Sequence, residues 1–267
     1  FASVQAASAA WSRIREILGL KNNLEVADDI VFGETTAKDL RIELKNVSFK
    51  YEGGNSVIEH ADLQFAPGKT YALVGPTGGG KSTLASLMAH LYDPTTGVVF
   101  LNGKDIRSYS DTERAEQISV ILQDPILFTG NVAENILYGN EKLKGMTVDT
   151  LEKLLHDKGF KEVIGRFESG LGTAINQSGS GLSIGQKQLI SFMRAILREP
   201  KLLILDEATA NIDTVTEAML NKTLEALSKD TTKVIIAHRL NTIKEADEIM
   251  FVNGHQVTRA GSYEDAI

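Results

Sequence analysis

The chain has 267 residues, 42% of them hydrophobic, enough for one large or two modest domains with a substantial core. Its formal net charge is −7, which disfavours a general nucleic-acid binder. It has no cysteine, so disulfides and cysteine-ligated metals are excluded, and no apolar run approaches the roughly 20 residues that span a bilayer.

Residues 1–20 predict a helix. Val4, Ala7, Trp11, Ile14 and Leu18 recur at three- and four-residue steps and form a heptad-like apolar stripe. Residues 21–40 are polar and weakly patterned, and read as a linker. A β-rich segment follows. Residues 41–45 alternate, and Val47, Phe49 and Tyr51 alternate again before a Gly53-Gly54-Asn55 turn. Further strands are expected at 57–65, 70–74, 97–101 and 118–122. From about 131 to 198 the pattern turns helical, with glycine-rich interruptions at 170–185. Strand 202–206, helix 214–228 and strand 233–237 return to alternating α/β. Residues 248–252 and 255–258 read as a hairpin with an Asn253-Gly254 turn. The expected fold is one α/β core with a mostly parallel sheet, an antiparallel N-terminal β subdomain and an inserted helical lobe. The chain starts at Phe1, and we expect a fragment of a longer polypeptide.

Gly75-Pro76-Thr77-Gly78-Gly79-Gly80-Lys81-Ser82 fits the phosphate-loop pattern G-x-x-x-x-G-K-[ST] without a mismatch. A buried strand before it and a helix from Ser82 to Leu91 after it supply the context the motif needs. Glycines let successive backbone N–H groups face one anion, and the helix N-terminus adds partial positive charge. Lys81 is placed to reach the β- and γ-phosphates, and the Ser82 hydroxyl to ligate Mg²⁺.

The run Leu202–Leu205 ends in Asp206 and Glu207. A continuous apolar run suits a central parallel strand buried on both faces. Asp206 at its carboxyl end suits Mg²⁺, and Glu207 suits a proton acceptor for an attacking water. Ser183 is a good N-cap for a helix starting near Gly185 and Gln186, and such a terminus can hold a second anion.

Together these residues resemble the nucleotide-binding domain of an ABC transporter, with the motifs in that family's order along nearly the whole chain. The resemblance implies ATP and Mg²⁺ as ligands and ATP hydrolysis as the activity. It implies that Tyr51 stacks on adenine. It assigns Gly75, Pro76, Thr77, Gly78, Gly79, Gly80, Lys81, Ser82 and Thr83 to the phosphates. It makes Gln123 the glutamine that contacts Mg²⁺ and water and senses the membrane domain. Leu182 to Gln186 match the signature, with Ser183, Gly185 and Gln186 as its ligand groups. Asp206 is the Mg²⁺ aspartate, Glu207 the catalytic glutamate, Ala210–Asp213 the D-loop, and His238 the residue that reaches the γ-phosphate. Each has an ordinary reading in isolation: Tyr51 a strand aromatic, Gln123 a loop polar group, His238 a core histidine. The joint order is what carries the match.

Two positions depart from the family pattern. Ile184 replaces the first glycine of Leu-Ser-Gly-Gly-Gln, and a β-branched residue there restricts the backbone and adds bulk near a triphosphate. The segment Asn176-Gln177-Ser178-Gly179 lacks the Glu-Arg often found in exporters. The resemblance further implies a second cassette as head-to-tail partner, with the signature of one domain closing the site of the other. Residues 1–40 resemble the end of an exporter's last membrane helix and its linker, which implies membrane spans in the same polypeptide and a place at the cytoplasmic face. The other reading is an amphipathic helix packed on this domain. Residues 41–267 would be the cassette. A DNA-organising ATPase, a ribosome-associated cassette factor and a regulatory ATP-binding module are the alternative classes. The first would place a long coiled coil between phosphate loop and signature, and the second would carry two cassettes and a basic linker. Retention of Glu207 and His238 argues against the third.

Overall fold

The computed structural model describes residues 2–19, 24, 39–206, 217–218, 220–221, 224, 227–237 and 240–265. Helix α1 (Ala2–Leu18) forms where the apolar stripe predicts it. Its described side chains, Val4, Trp11, Ile14 and Leu18 among them, are exposed, so the stripe is not packed on this domain.

Strand β1 (Ile42–Lys50) joins the two alternating segments into one strand. The join is a bulge, with a register shift between Leu44 and Val47 and a positive φ of 48° at Asn46. β1 pairs antiparallel with β2 (Ser56–Phe65) and β4 (Thr96–Leu101), and β5 (Lys104–Asp105) adds the edge. The second sheet has the order β12-β11-β3-β10-β9-β6. Its strands β3 (Thr70–Val74), β6 (Ile118–Ile121), β9 (Leu202–Asp206), β10 (Thr232–Ile236) and β11 (Glu248–Asn253) are parallel, and β12 (Gln256–Gly261) is antiparallel. Strands 70–74 and 202–206 fall where expected. The hairpin differs by one residue. Asn253 pairs with Gln256, so the turn centres on Gly254 and His255, with φ of 56° and 68°. Two positive φ angles match the twist of a tight two-residue hairpin, and the pairing of Asn253 with Gln256 is what moves the centre one residue on.

Helix α2 (Lys81–Met88) follows the phosphate loop, and α3 (Asp111–Gln117) begins at a Ser110/Glu113 capping box. The inserted lobe holds α4 (Val132–Leu137), α5 (Val148–Asp157), α6 (Lys161–Ile164) and α7 (Ile184–Ile196). It also holds a small pair that helical periodicity does not announce, β7 (Gly130–Asn131) with β8 (Ala174–Ile175). Helix α8 (Leu240–Lys244) follows β10. The expected helix 214–228 lies largely outside the described residues.

Strand β9 shows why its sequence is continuously apolar. Leu202 and Ile204 join one core with β1, β2, β3 and α2, while Leu203 and Leu205 join a second core with α4, α5 and α7. The central sheet thus separates the antiparallel subdomain from the helical lobe. Arg41 ties the sheets together through a 2.9 Å ion pair with Asp230 in the turn before β10.

Candidate nucleotide site

The phosphate loop begins where β3 ends. Gly75 lies so close to β11 that a Cβ there would stand 2.0 Å from the Val252 carbonyl oxygen. A Cβ on Gly79 would stand 2.9 Å from the same oxygen. Gly80 caps α2 in the left-handed region, with φ of 103°, and a Cβ there would meet Val57 and Ile58. These positions have no room for a side chain, which draws the loop tight over the sheet edge. Gly78 is different: its φ is 76° but nothing lies within 4 Å of its Cβ position, so it lines open space. Lys81 is the first residue of α2 and is buried. Its Nζ donates to the carbonyl oxygens of Gly75 at 2.9 Å and Pro76 at 3.0 Å. Ser82 is exposed beside it, and Pro76 and Thr77 are exposed on the loop.

Tyr51 stands just beyond β1. Its hydroxyl lies 3.0 Å from Thr83 Oγ1, which links the expected base platform to the first turn of α2. Phe49 and Tyr92 meet the Tyr51 ring edge-to-face, with centroids 4.9 Å and 5.4 Å away. Tyr92 escaped sequence reasoning. An aromatic a few residues after a helix carries no periodic signal, and only the fold brings it to Tyr51.

Strand register collects the other groups. Leu73 pairs with Ile236, Ile236 with Asp206, and Leu205 with Ile121. The carboxyl ends of β3, β10, β9 and β6 therefore lie along one edge of the sheet. The phosphate loop, Asp206 and the segment leading to Gln123 emerge from that edge, where ligands of open α/β sheets bind. Gln123 is exposed, and its carbonyl accepts a long 3.4 Å bond from Gln188 of α7. Gln188 is fully buried and was also missed, because a glutamine inside an apolar-periodic helix reads as a surface position. Glu207, His238 and the segment Ala210–Asp213 lie outside the described residues.

The signature belongs to the helical lobe, packed in a different core from α2. Ser183 caps α7, its hydroxyl accepting from the Gln186 N–H, while Gln186 Oε1 accepts from the Ser183 N–H. Gln186 also donates to the Arg166 carbonyl at 2.8 Å. Leu182 packs into the helical core. Ile184 opens the helix and is 51% exposed. A helical conformation suits any L-residue, so the expected backbone restriction does not arise. What Ile184 adds is an apolar side chain on the outer tip of the helix. The Gln186 amide is taken by the Ser183 hydroxyl, while the Ile184 and Gly185 amides have no intrahelical acceptor, and a helix N-terminus of this kind suits an anion.

The residues fit the ligands that the motifs imply. A loop whose glycines exclude Cβ atoms, with a buried ammonium turned onto it, suits a polyphosphate. Ser82 and Asp206 suit Mg²⁺, which takes one or two protein oxygens and completes its shell with water and phosphate.

The fold and this loop define a P-loop nucleotide-binding domain. The ABC transporter family model matches residues 58–210. The chain is 38% identical over 267 residues to the uncharacterized ABC transporter ATP-binding protein YfiC of Bacillus subtilis, covering 100% of this chain and 43% of that protein. It is 40% identical over 228 residues to the ATP-dependent lipid A-core flippase of Vibrio parahaemolyticus, covering 85% of this chain and 39% of that protein. A bacterial Atm1-family ABC exporter solved with ATP bound superposes with a TM-score of 0.82 at 27% identity, over 98% of this chain and 45% of that one. The chain belongs to the ABC transporter family and is an ATP-binding cassette domain of the ATPase type. It spans less than half the length of these relatives.

Proposed function

We propose that this chain powers export across a membrane by binding and hydrolysing Mg-ATP. In this reading residues 41–267 are the cassette, with the helical lobe at about 131–198. Residues 1–40 lead from membrane spans of the same polypeptide, and the cassette works at the cytoplasmic face. The exposed stripe of α1 supports that arrangement, since Val4, Trp11, Ile14 and Leu18 find no cover on this domain. Among the described residues, no helix is long and apolar enough to cross a membrane. The observation that carries the proposal is the tight glycine cradle with Lys81 turned onto it.

Tyr51 stacks on the base, while Lys81 and the amides of Gly78 to Thr83 hold the phosphates. Ser82, Gln123 and Asp206 hold Mg²⁺, which when bound neutralises charge on the β- and γ-phosphate oxygens. Glu207 accepts the proton of a water whose oxygen attacks the γ-phosphorus. The bond to the β–γ bridging oxygen breaks, and ADP keeps its electron pair. His238 contacts the γ-phosphate, and Gln123 positions the water. Ser183, Gly185 and Gln186 serve the site of a second cassette. Leu182 of that signature packs with the helical lobe, while α2 after this chain's own loop packs in the other core, which supports a composite, two-chain site. ATP binds the closed dimer more tightly than the open one, which is the differential affinity that any ligand-driven change requires.

Ile184 favours a finer version. The hydrolytic residues are intact but the signature is altered, and Ile184 is exposed at the start of α7, the end that would meet the partner's triphosphate. The partner would then be a different half-transporter, with one site turning over and the other mostly holding ATP. The test is ATPase activity of the full-length protein with and without a co-expressed neighbouring half-transporter. Stimulation by the neighbour supports the asymmetric pair. Equal turnover at both sites of a homodimer rejects it.

A further inference from the structure

The Tyr51 ring is held from three sides by three different elements. Phe49 belongs to β1, Tyr92 to the segment after α2, and Thr83 to the first turn of α2. Phe49 and Tyr92 approach at interplanar angles of 86° and 89°, the geometry that ring quadrupoles prefer. Phe49 and Tyr92 also touch each other, with centroids 5.5 Å apart. Phe49 is buried in the core, so it forms a fixed wall. Tyr51 and Tyr92 are 40% and 43% exposed, too open for burial alone to fix either ring. An exposed tyrosine otherwise samples several rotamers, and ordering one on binding costs affinity.

We infer that Tyr92 is a positioning residue of the base site, holding the Tyr51 ring in one orientation before nucleotide arrives. The inference rests on the reading that Tyr51 stacks on the base. Tyr92 acts on the base through Tyr51 and not on the phosphates. The hydroxyl bond to Thr83 fixes the far end of the same ring, so base platform and phosphate loop keep one relative placement.

The experiment compares binding of MgATP and of magnesium tripolyphosphate, which has no base, to the full chain by calorimetry. Tyr92→Ala should weaken MgATP about three- to tenfold and leave tripolyphosphate unchanged, the range set by the value of an aromatic pair. Tyr92→Phe keeps the ring edge and should bind both ligands like the parent. In a Tyr51→Ala background, adding Tyr92→Ala should cost nothing further, because the ring it positions is gone. Additive losses in that double variant would mean that Tyr92 meets the base directly, and would overturn the inference. So would an equal loss of both ligands, or no loss, in Tyr92→Ala. If Tyr51→Ala is itself non-selective, the stacking reading falls with it. If Tyr51→Ala is selective and Tyr92→Ala is silent, only the inference about Tyr92 falls.

Discussion

Lys81 Nζ donates to the Gly75 carbonyl oxygen at 2.9 Å, so the cation that would meet the phosphates is held by the loop that would cradle them. A second bond to Pro76 fixes its direction. An ammonium has three donors, so one remains for a phosphate oxygen even before the loop contacts exchange. The loop therefore orients its charge in advance, and binding does not have to order a long flexible side chain.

Lys81→Met should weaken MgATP by about 10- to 100-fold, the value of one or two hydrogen bonds from a charged group. The Gly75 and Pro76 carbonyls lose their donor but can turn to water at the loop surface. Thermal unfolding should accordingly move far less than affinity. Calorimetry and a melting curve on the same sample check both halves.

Two glycines of the loop should respond differently to alanine. At Gly75 the new Cβ would lie 2.0 Å from a backbone oxygen of β11, which cannot move without shifting the sheet. Gly75→Ala should destabilise by about 2–3 kcal/mol in urea unfolding. Gly78 has open space, so Gly78→Ala meets only the cost of its left-handed backbone, about 1 kcal/mol. Similar losses for the two would contradict the packing described.

Ile184→Gly should change activity and not stability. Ile184 is exposed at the first position of α7, where substitution costs less than about 1 kcal/mol. Removing its side chain clears the surface expected to face the partner's triphosphate. Steady-state ATPase of a homodimer of the full-length protein should rise. An unchanged rate would show that the isoleucine is tolerated.

His90 should make stability fall on mild acidification. Burial pushes its imidazole below the usual histidine value, and the bond to Asp93 only partly opposes this. Nδ1 is buried without a partner, so the charged form would add a buried donor. The unfolded state then binds more protons than the folded one, and stability rises with pH in that range. The contribution is complete above the unfolded value of about 6.5 and is lost as pH falls through the depressed folded value. The melting temperature should drop between pH 7.5 and 5.5, and His90→Asn should flatten that slope.

Much of the fold was legible where one physical requirement dominated. Strands 70–74 and 202–206 are buried on both faces, so their apolar runs are unbroken and their ends are set by Gly75 and by Asp206. The phosphate loop was legible because it needs glycine where no Cβ fits. The hairpin turn slid by one residue because pairing of Asn253 with Gln256 decides its centre, and an Asn-Gly dipeptide does not. β7 and β8 are two residues each, too short to show alternation. Tyr92 and Gln188 were missed because their roles come from tertiary contacts with Tyr51 and with the Gln123 carbonyl. The constraint expected at Ile184 was misjudged, since a helix start accepts a β-branched residue that a tight loop would not.

The central claim is that this cassette hydrolyses ATP in a dimer, with Glu207 as proton acceptor. The most direct measurement is single-turnover hydrolysis by the full-length protein carrying Glu207→Gln, with dimerisation followed on the same sample. The account predicts normal MgATP affinity, a rate lower by about 10²–10⁴-fold, and an ATP-dependent dimer that persists. Hydrolysis at the parent rate in the dimerised variant would contradict it.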